Sequence, residues 1–227
     1  MNLKSFGDSF IFGNDLADAV VISGDTPGTF HVPSQSTWPA HLARHLNYSY
    51  ECYARPGAGN LQIVEKILNQ INSNDLFVIN WTWIDRFDYY NSNYNGIPWT
   101  DWLTIMPVDS TEIAKIYYRD LHSEYRDKLT TLMSIRLVID TLQQKNIPFI
   151  MTYMDELMFD QRWHVTPAVK DLQEYICPHM TTFEGQTFLE WSHANNYPIS
   201  KTLHPLEEAH QAAGDCMIKV FNKERIK

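Results

Sequence analysis

Residues 3–10 read Leu3-Lys4-Ser5-Phe6-Gly7-Asp8-Ser9-Phe10, a short apolar start that runs straight into a turn composition. A serine at the tip of a strand has an exposed hydroxyl with free backbone N–H groups beside it. Outward from this point the chain alternates between strand-like and helix-like patterns. Residues 48–53 form a second strand pattern, broken by Arg55-Pro56-Gly57-Ala58-Gly59-Asn60. Leu61, Val64, Ile67, Leu68 and Ile71 then recur at helical spacing. Residues 75–81 (DLFVINW) and 147–154 (IPFIMTYM) show the pattern of buried strands. Helices are predicted over 38–46, after a Ser-Gln-Ser-Thr capping stretch, and over 205–221, with Pro205 in the first turn. Residues 111–144 are predicted as one long helix or a broken pair, its charges marking a solvated face. Crossovers too long for hairpins imply an α/β domain whose parallel sheet is covered on both faces. Such sheets bind ligands beyond the carboxyl ends of their strands, which directs attention to 7–9, 55–60 and 81–85.

Composition narrows the class. The chain has 227 residues, enough for one sizeable domain, and no repeat or linker divides it. Its 18 basic and 27 acidic residues give a net charge of −9, which disfavours nucleic acid and anionic membrane as partners. Three widely spaced cysteines, Cys52, Cys177 and Cys216, contain no CxxC pair and fit reduced thiols in a cytoplasmic protein. The first 12 residues lack the pattern of a signal peptide, and no apolar run is long enough to span a bilayer. With no secretion signal, the Asn47-Tyr48-Ser49 triplet is not read as a glycosylation site.

A serine nucleophile needs a base. Near the other end of the chain, Lys201-Thr202-Leu203-His204-Pro205 places a histidine just before a predicted helix, on a loop. Gly7-Asp8-Ser9, Pro56-Gly57-Ala58-Gly59-Asn60, and His204-Pro205 with His210, taken in that order, resemble the motif blocks of the GDSL/SGNH hydrolase family. The resemblance spans nearly the whole chain. It implies a flavodoxin-like three-layer α/β/α sandwich with a mostly parallel sheet, and cleavage of esters through an acyl-serine intermediate. It also implies Ser9 as nucleophile, His204 as base, Asp8 as its matching neighbour in the catalytic block, and Gly57 or Gly59 as an oxyanion donor. No metal or organic cofactor is needed. The expected substrate is a small-molecule or carbohydrate ester, with a sugar O-acetyl group favoured.

Two positions depart from the family pattern. The acid that usually stands three residues before the histidine is Lys201 here, so either Ser9 and His204 work as a dyad, or Asp155 or Glu156, after the 147–154 strand, or a backbone carbonyl, orients His204. In the third block, Trp81-Thr82-Trp83-Ile84-Asp85 sets Ile84 where the family has its oxyanion asparagine, while Asp85 keeps the final acid. The Thr82 hydroxyl or the amide of Asn60 or Asn80 is expected to compensate.

Residues 81–102 hold eight aromatics: Trp81, Trp83, Phe87, Tyr89, Tyr90, Tyr94, Trp99 and Trp102. An aromatic-rich insertion over about 83–110 therefore borders the site, as a substrate wall or as an anchor to the domain or a partner. Asp85, Asp88 and Asp101 within it favour a neutral, hydroxyl-rich ligand. His204 and Glu208 share a helical face, but His210 falls ~240° away, so they form no three-ligand metal set. An alternative reading keeps the fold as a catalytically impaired module that binds a glycan or protein through the aromatic loop.

Overall fold

The computed structural model describes residues 1–20, 31–71, 74–90 and 102–224. Strand β1 (Asn2–Phe6) lies between β2 (Ser49–Cys52) and β3 (Leu76–Trp81), parallel to both. Strands β4 (Phe87–Tyr90) and β5 (Trp102–Ile105) leave the sheet as a separate antiparallel ribbon. The chain returns to the sheet through β6 (Phe149–Tyr153), parallel to β3, giving the order β2-β1-β3-β6.

Side chains alternate across each strand, so the sheet feeds two cores. Phe77 and Ile79 of β3 point with Phe6 and Met151 toward α3 (Asn60–Asn69), α5 (Glu124–Gln144) and α6 (Pro167–Ile176). Leu76 and Val78 point with Leu3 and Ile150 toward α1 (Ser9–Phe12), α2 (Trp38–His45), α7 (Phe188–Ala194) and α8 (Glu207–Glu224). This is the three-layer α/β/α arrangement expected. Every residue of β3 is buried, which explains its unbroken apolar run. Met151 and Met158 fill one core and Met154 the other.

The 111–144 segment resolves as a broken pair. Helix α4 (Glu112–Ile116) runs into a π-helical turn (Tyr117–Leu121), His122 is extended, and the Ser123 side chain caps α5 by accepting from Arg126 N. Pro205 stands outside α8: it bridges Ile199 in a tight antiparallel loop, and the helix starts at Glu207. Helices α6 and α7 carry clear caps, Thr166 before Pro167 and a Thr187/Glu190 capping box. No described helix is long and apolar enough to cross a membrane.

Candidate active site

The position of Ser9 follows from one tight turn. Gly7 lets β1 pass close beneath α1: a Cβ there would lie 2.8 Å from Ile11 Cγ1 and 3.1 Å from the Asn80 carbonyl. Asp8 is the extended N-cap, its Oδ1 accepting from Phe10 N at 3.0 Å. Ser9 is therefore the first helical residue. After four residues Gly13 ends the helix in the left-handed conformation, and the chain reaches Asp15 at φ 68°.

Ser9 Oγ donates to His204 Nε2 at 2.9 Å, and His204 Nδ1 lies 2.9 Å from Asp15 Oδ2. Neither Asp155 nor Glu156 orients the histidine. Asp155 Oδ2 accepts from Ile84 N and its Oδ1 from Leu157 N, which makes it a cap for the turn at Glu156–Met158. The 200–204 loop builds the other half of the array. Ser200 Oγ donates to Asp15 Oδ2 at 2.6 Å, Thr202 Oγ1 donates to the same oxygen, and Thr202 Oγ1 is 2.9 Å from His204 Nδ1. Burial raises the Asp15 carboxyl's pKa, but the hydrogen bonds from Ser200, Thr202 and His204 outweigh it and leave the group below its ordinary value. Leu203 holds φ 66°, a left-handed conformation that is rare for leucine and sits immediately before the histidine. The imidazole also packs on Phe10, ring centroids 5.1 Å apart.

The oxyanion side differs from expectation. Gly57 occupies a left-handed turn (φ 75°) facing open space and stays a candidate donor with Ser9 N. Gly59 N is already spent on Asp88 Oδ1 at 3.1 Å, and Gln62 N donates to Asp88 Oδ2 at 2.9 Å. Thus a buried carboxylate from β4 caps the start of α3. Gly59 has to be glycine because a Cβ would lie 2.6 Å from both Asp88 oxygens. Burial pushes the Asp88 carboxyl up, opposed by hydrogen bonds from Thr104 and the backbone of Gln62, Gly59 and Leu61.

Of the three side chains expected to replace the missing asparagine, Asn60 and Thr82 have other duties, while the Asn80 Nδ2 amide is buried without a partner. Asn60 clasps the backbone of Thr82, donating to its carbonyl at 3.1 Å and accepting from its N–H at 2.9 Å. The Thr82 hydroxyl donates to Asp8 Oδ2 at 2.7 Å. Asn80 Oδ1 accepts from Thr152, within the sheet. Ile84 is buried in the α3–α5 core. Trp81 is also fully buried there, so it is a core residue and not a substrate contact. Trp83 does border the site, its ring 5.6 Å from Phe10. Asp85 is tied to the π-helical turn, its carbonyl accepting from Tyr118 Oη at 2.5 Å; burial and then Asp155 raise its carboxyl.

Asp8 turns away from Ser9 and His204. Fully buried, it accepts from Arg86 Nη1 at 3.1 Å as well as from Thr82 and Phe10 N. Sequence reasoning missed Asp15, Ser200, Thr202, Arg86 and Asp88. A polar Ser-x-Thr-x-His run was the one local signal available. His210 faces the core, where its Nδ1 accepts from Trp38 N at 3.1 Å. Burial, with His41 and His204 nearby, depresses its pKa to about 3. No group of three potential metal ligands occurs among the described residues. Tyr94, Trp99 and Asp101 lie outside the described residues. A cleft of about 570 Å³, lined by Trp191, Tyr197, Asp215 and Lys219 among others, opens beside α8 and includes none of the Ser9, His204 and Asp15 array.

No family model matches the chain, and no curated protein sequence does. Solved structures do. The psychrotrophic esterase EstA from Pseudoalteromonas sp. superposes with a TM-score of 0.54 at 9% identity, covering 100% of this chain and 99% of that one. A member of the lipolytic protein G-D-S-L family from Veillonella parvula gives 0.50 at 13% identity, covering 98% of each chain. An acetyl xylan esterase from the rumen bacterium Butyrivibrio proteoclasticus gives 0.51 at 13% identity, with 98% of this chain on 63% of that one. The fold is thus that of the GDSL/SGNH hydrolases, with the sheet order and flanking helices described above.

Proposed function

We propose that the protein is a serine hydrolase of carboxylic esters, working through Ser9, His204 and Asp15. The observation that carries this reading is the unbroken chain Ser9 Oγ–His204 Nε2 and His204 Nδ1–Asp15 Oδ2, each link 2.9 Å long. Asp15 holds the imidazole with Nδ1 protonated, so that Nε2 is the lone-pair nitrogen facing the serine. His204 takes the Ser9 proton as Oγ attacks the ester carbonyl carbon. The tetrahedral oxyanion then faces Ser9 N, with Gly57 N as the second backbone donor. His204 returns the proton to the departing alcohol, leaving acyl-Ser9. Water, deprotonated by His204, attacks that acyl group, and the carboxylic acid leaves as Ser9 recovers its proton.

A short acyl group on a carbohydrate is the favoured substrate. Two things support it: the fold shared with an acetyl xylan esterase, and the aromatic Trp83 ring that packs on Phe10 beside Ser9 and His204. Incubation with a fluorophosphonate probe tests the assignment. Labelling at Ser9, lost in Ser9→Ala together with hydrolysis of 4-nitrophenyl acetate and acetylated xylan, is the expected result. An unlabelled Ser9 with Ser9→Ala fully active overturns it.

The engaged amides of Asn60 and the hydroxyl of Thr82 favour a second reading, a glycan-binding module with little turnover. A carbohydrate esterase whose active site displays divergent catalytic and non-catalytic binding functions shares the fold, with a TM-score of 0.53 at 11% identity. Glycan binding that survives Ser9→Ala, with no acyl release from any ester, separates the two.

A further inference from the structure

We infer that Arg86 supplies the oxyanion side of this site with the stabilising charge that an asparagine at position 84 would have supplied as a neutral donor. The inference rests on the hydrolase reading. Arg86 comes two residues after Ile84, and its guanidinium reaches back between the two segments that border the serine. Nη1 donates to Asp8 Oδ2 at 3.1 Å and to the Ala58 carbonyl at 2.9 Å. Asp8 precedes the nucleophile, and Ala58 stands between Gly57 and Gly59. The guanidinium stacks on Trp83 at 4.8 Å, and Trp83 packs on Phe10, which packs on His204. One cation therefore touches the nucleophile turn, the glycine loop and the third block together. Its side chain is 10% exposed.

Charge makes a cation here necessary. Asp8 has no exposed surface and lies one residue from Ser9. A developing oxyanion beside an unscreened buried carboxylate would be repelled, most strongly where water is excluded. Arg86 pairs with that carboxylate. Among the described residues its Nε and Nη2 groups have no acceptor, and a guanidinium carries five donors in a planar fork. The neutral donors at Asn60 and Thr82 are committed elsewhere, so the developing charge is met by Ser9 N, Gly57 N and this fork, alongside the unpartnered buried amide of Asn80.

The test uses the full chain, with 4-nitrophenyl acetate as substrate and phenylboronic acid as a probe that forms a tetrahedral anionic adduct on a serine oxygen. Arg86→Gln is expected to lower kcat by about 10²–10³, the usual effect of losing one oxyanion donor, with KM changed by less than about threefold. Phenylboronic acid should weaken by the same factor as kcat/KM. Arg86→Lys should recover part of both, which guards against a loss caused only by misfolding. Asp8→Asn keeps the cap acceptor, and the Asp8→Asn/Arg86→Gln double variant should recover only part of the loss, because it removes the Asp8 charge without replacing the guanidinium donors. The inference is overturned by wild-type kcat in Arg86→Gln, by unchanged boronate affinity, or by a double variant restored to the wild-type rate. The last result would reduce Arg86 to a counter-ion for Asp8. Undiminished hydrolysis in Ser9→Ala overturns the hydrolase reading itself, and is recognisable without any Arg86 variant.

Discussion

The two sides of the Ser9 hydroxyl are built in opposite ways. On the base side, polar groups from two distant loops converge in one chain of contacts that begins at the serine hydroxyl: Ser9 to His204 to Asp15, with Ser200 behind it. On the oxyanion side, the hydrogen bonds lead away from it: Asn60 to Thr82, Thr82 to Asp8, Gly59 to Asp88. The first side, in the hydrolase proposed above, would move a proton. The second is a frame that fixes the shape of a hole while leaving few donors to fill it. Charge and backbone N–H groups must then do what side-chain amides do in the related pattern.

Substitutions on the base side should have the largest effects. Ser9→Ala or His204→Ala should cut kcat by on the order of 10⁵–10⁶, measured on an aryl acetate, since the array acts as a unit. Asp15→Asn should cost ~10⁴ by favouring the wrong tautomer, while Asp155→Asn, at one of the two acids that sequence offered, should leave kcat within about threefold of wild type. Equal losses in these two variants would break the assignment of Asp15.

Substitutions in the frame should act more weakly and through shape. Gly59→Ala drives a methyl group into the Asp88 carboxylate. It should destabilise by about 1–3 kcal/mol in urea unfolding and lower kcat through displacement of the 57–60 loop. A Gly59→Ala enzyme with unchanged stability would show that Asp88 does not hold that loop.

The smallest effect lies behind the site. His210, neutral in the folded protein with a pKa depressed to about 3, gains a proton on unfolding wherever the pH is below its ordinary value of 6.5. Its contribution is fully present above pH 6.5 and is lost as pH falls from there toward 3. Unfolding free energy should therefore drop by up to ~1.4 kcal/mol per pH unit from this group across that window. His210→Gln should flatten the slope by that amount; an unchanged slope would place the proton elsewhere.

The fold was legible because the strands carry it openly. Residues 76–79 are apolar without a break, since both faces of β3 are covered, and 147–151 reads the same way. Ser9 and His204 were legible through the blocks around them. Asp15 was not, because the residue that sets its place is the left-handed turn after a four-residue helix, and periodicity does not register so short an element. The commitments of Gly59, Asn60 and Thr82 were equally hidden. A donor-type residue in the right block looks the same in sequence whether its hydrogen bonds point to a substrate or to Asp88 and Asp8. Pro205 misled for a related reason: Pro suits a first helical turn, but here the Ser200–His204 loop had claimed it for a bridge to Ile199.

The span between Ser9 and His204 has a kinetic meaning. The two side chains meet across 195 positions of chain, so no local stretch can assemble the site. Contacts of that separation form late, after the costs of closing the intervening loops have been met. His204 arrives only when α8 docks on α2 and β1 is already seated between β2 and β3. Ester hydrolysis should therefore appear as the last event of refolding, after helical signal and after burial of Trp38 and Trp81, and a stopped-flow trace of product release would time the closing of the chain on itself.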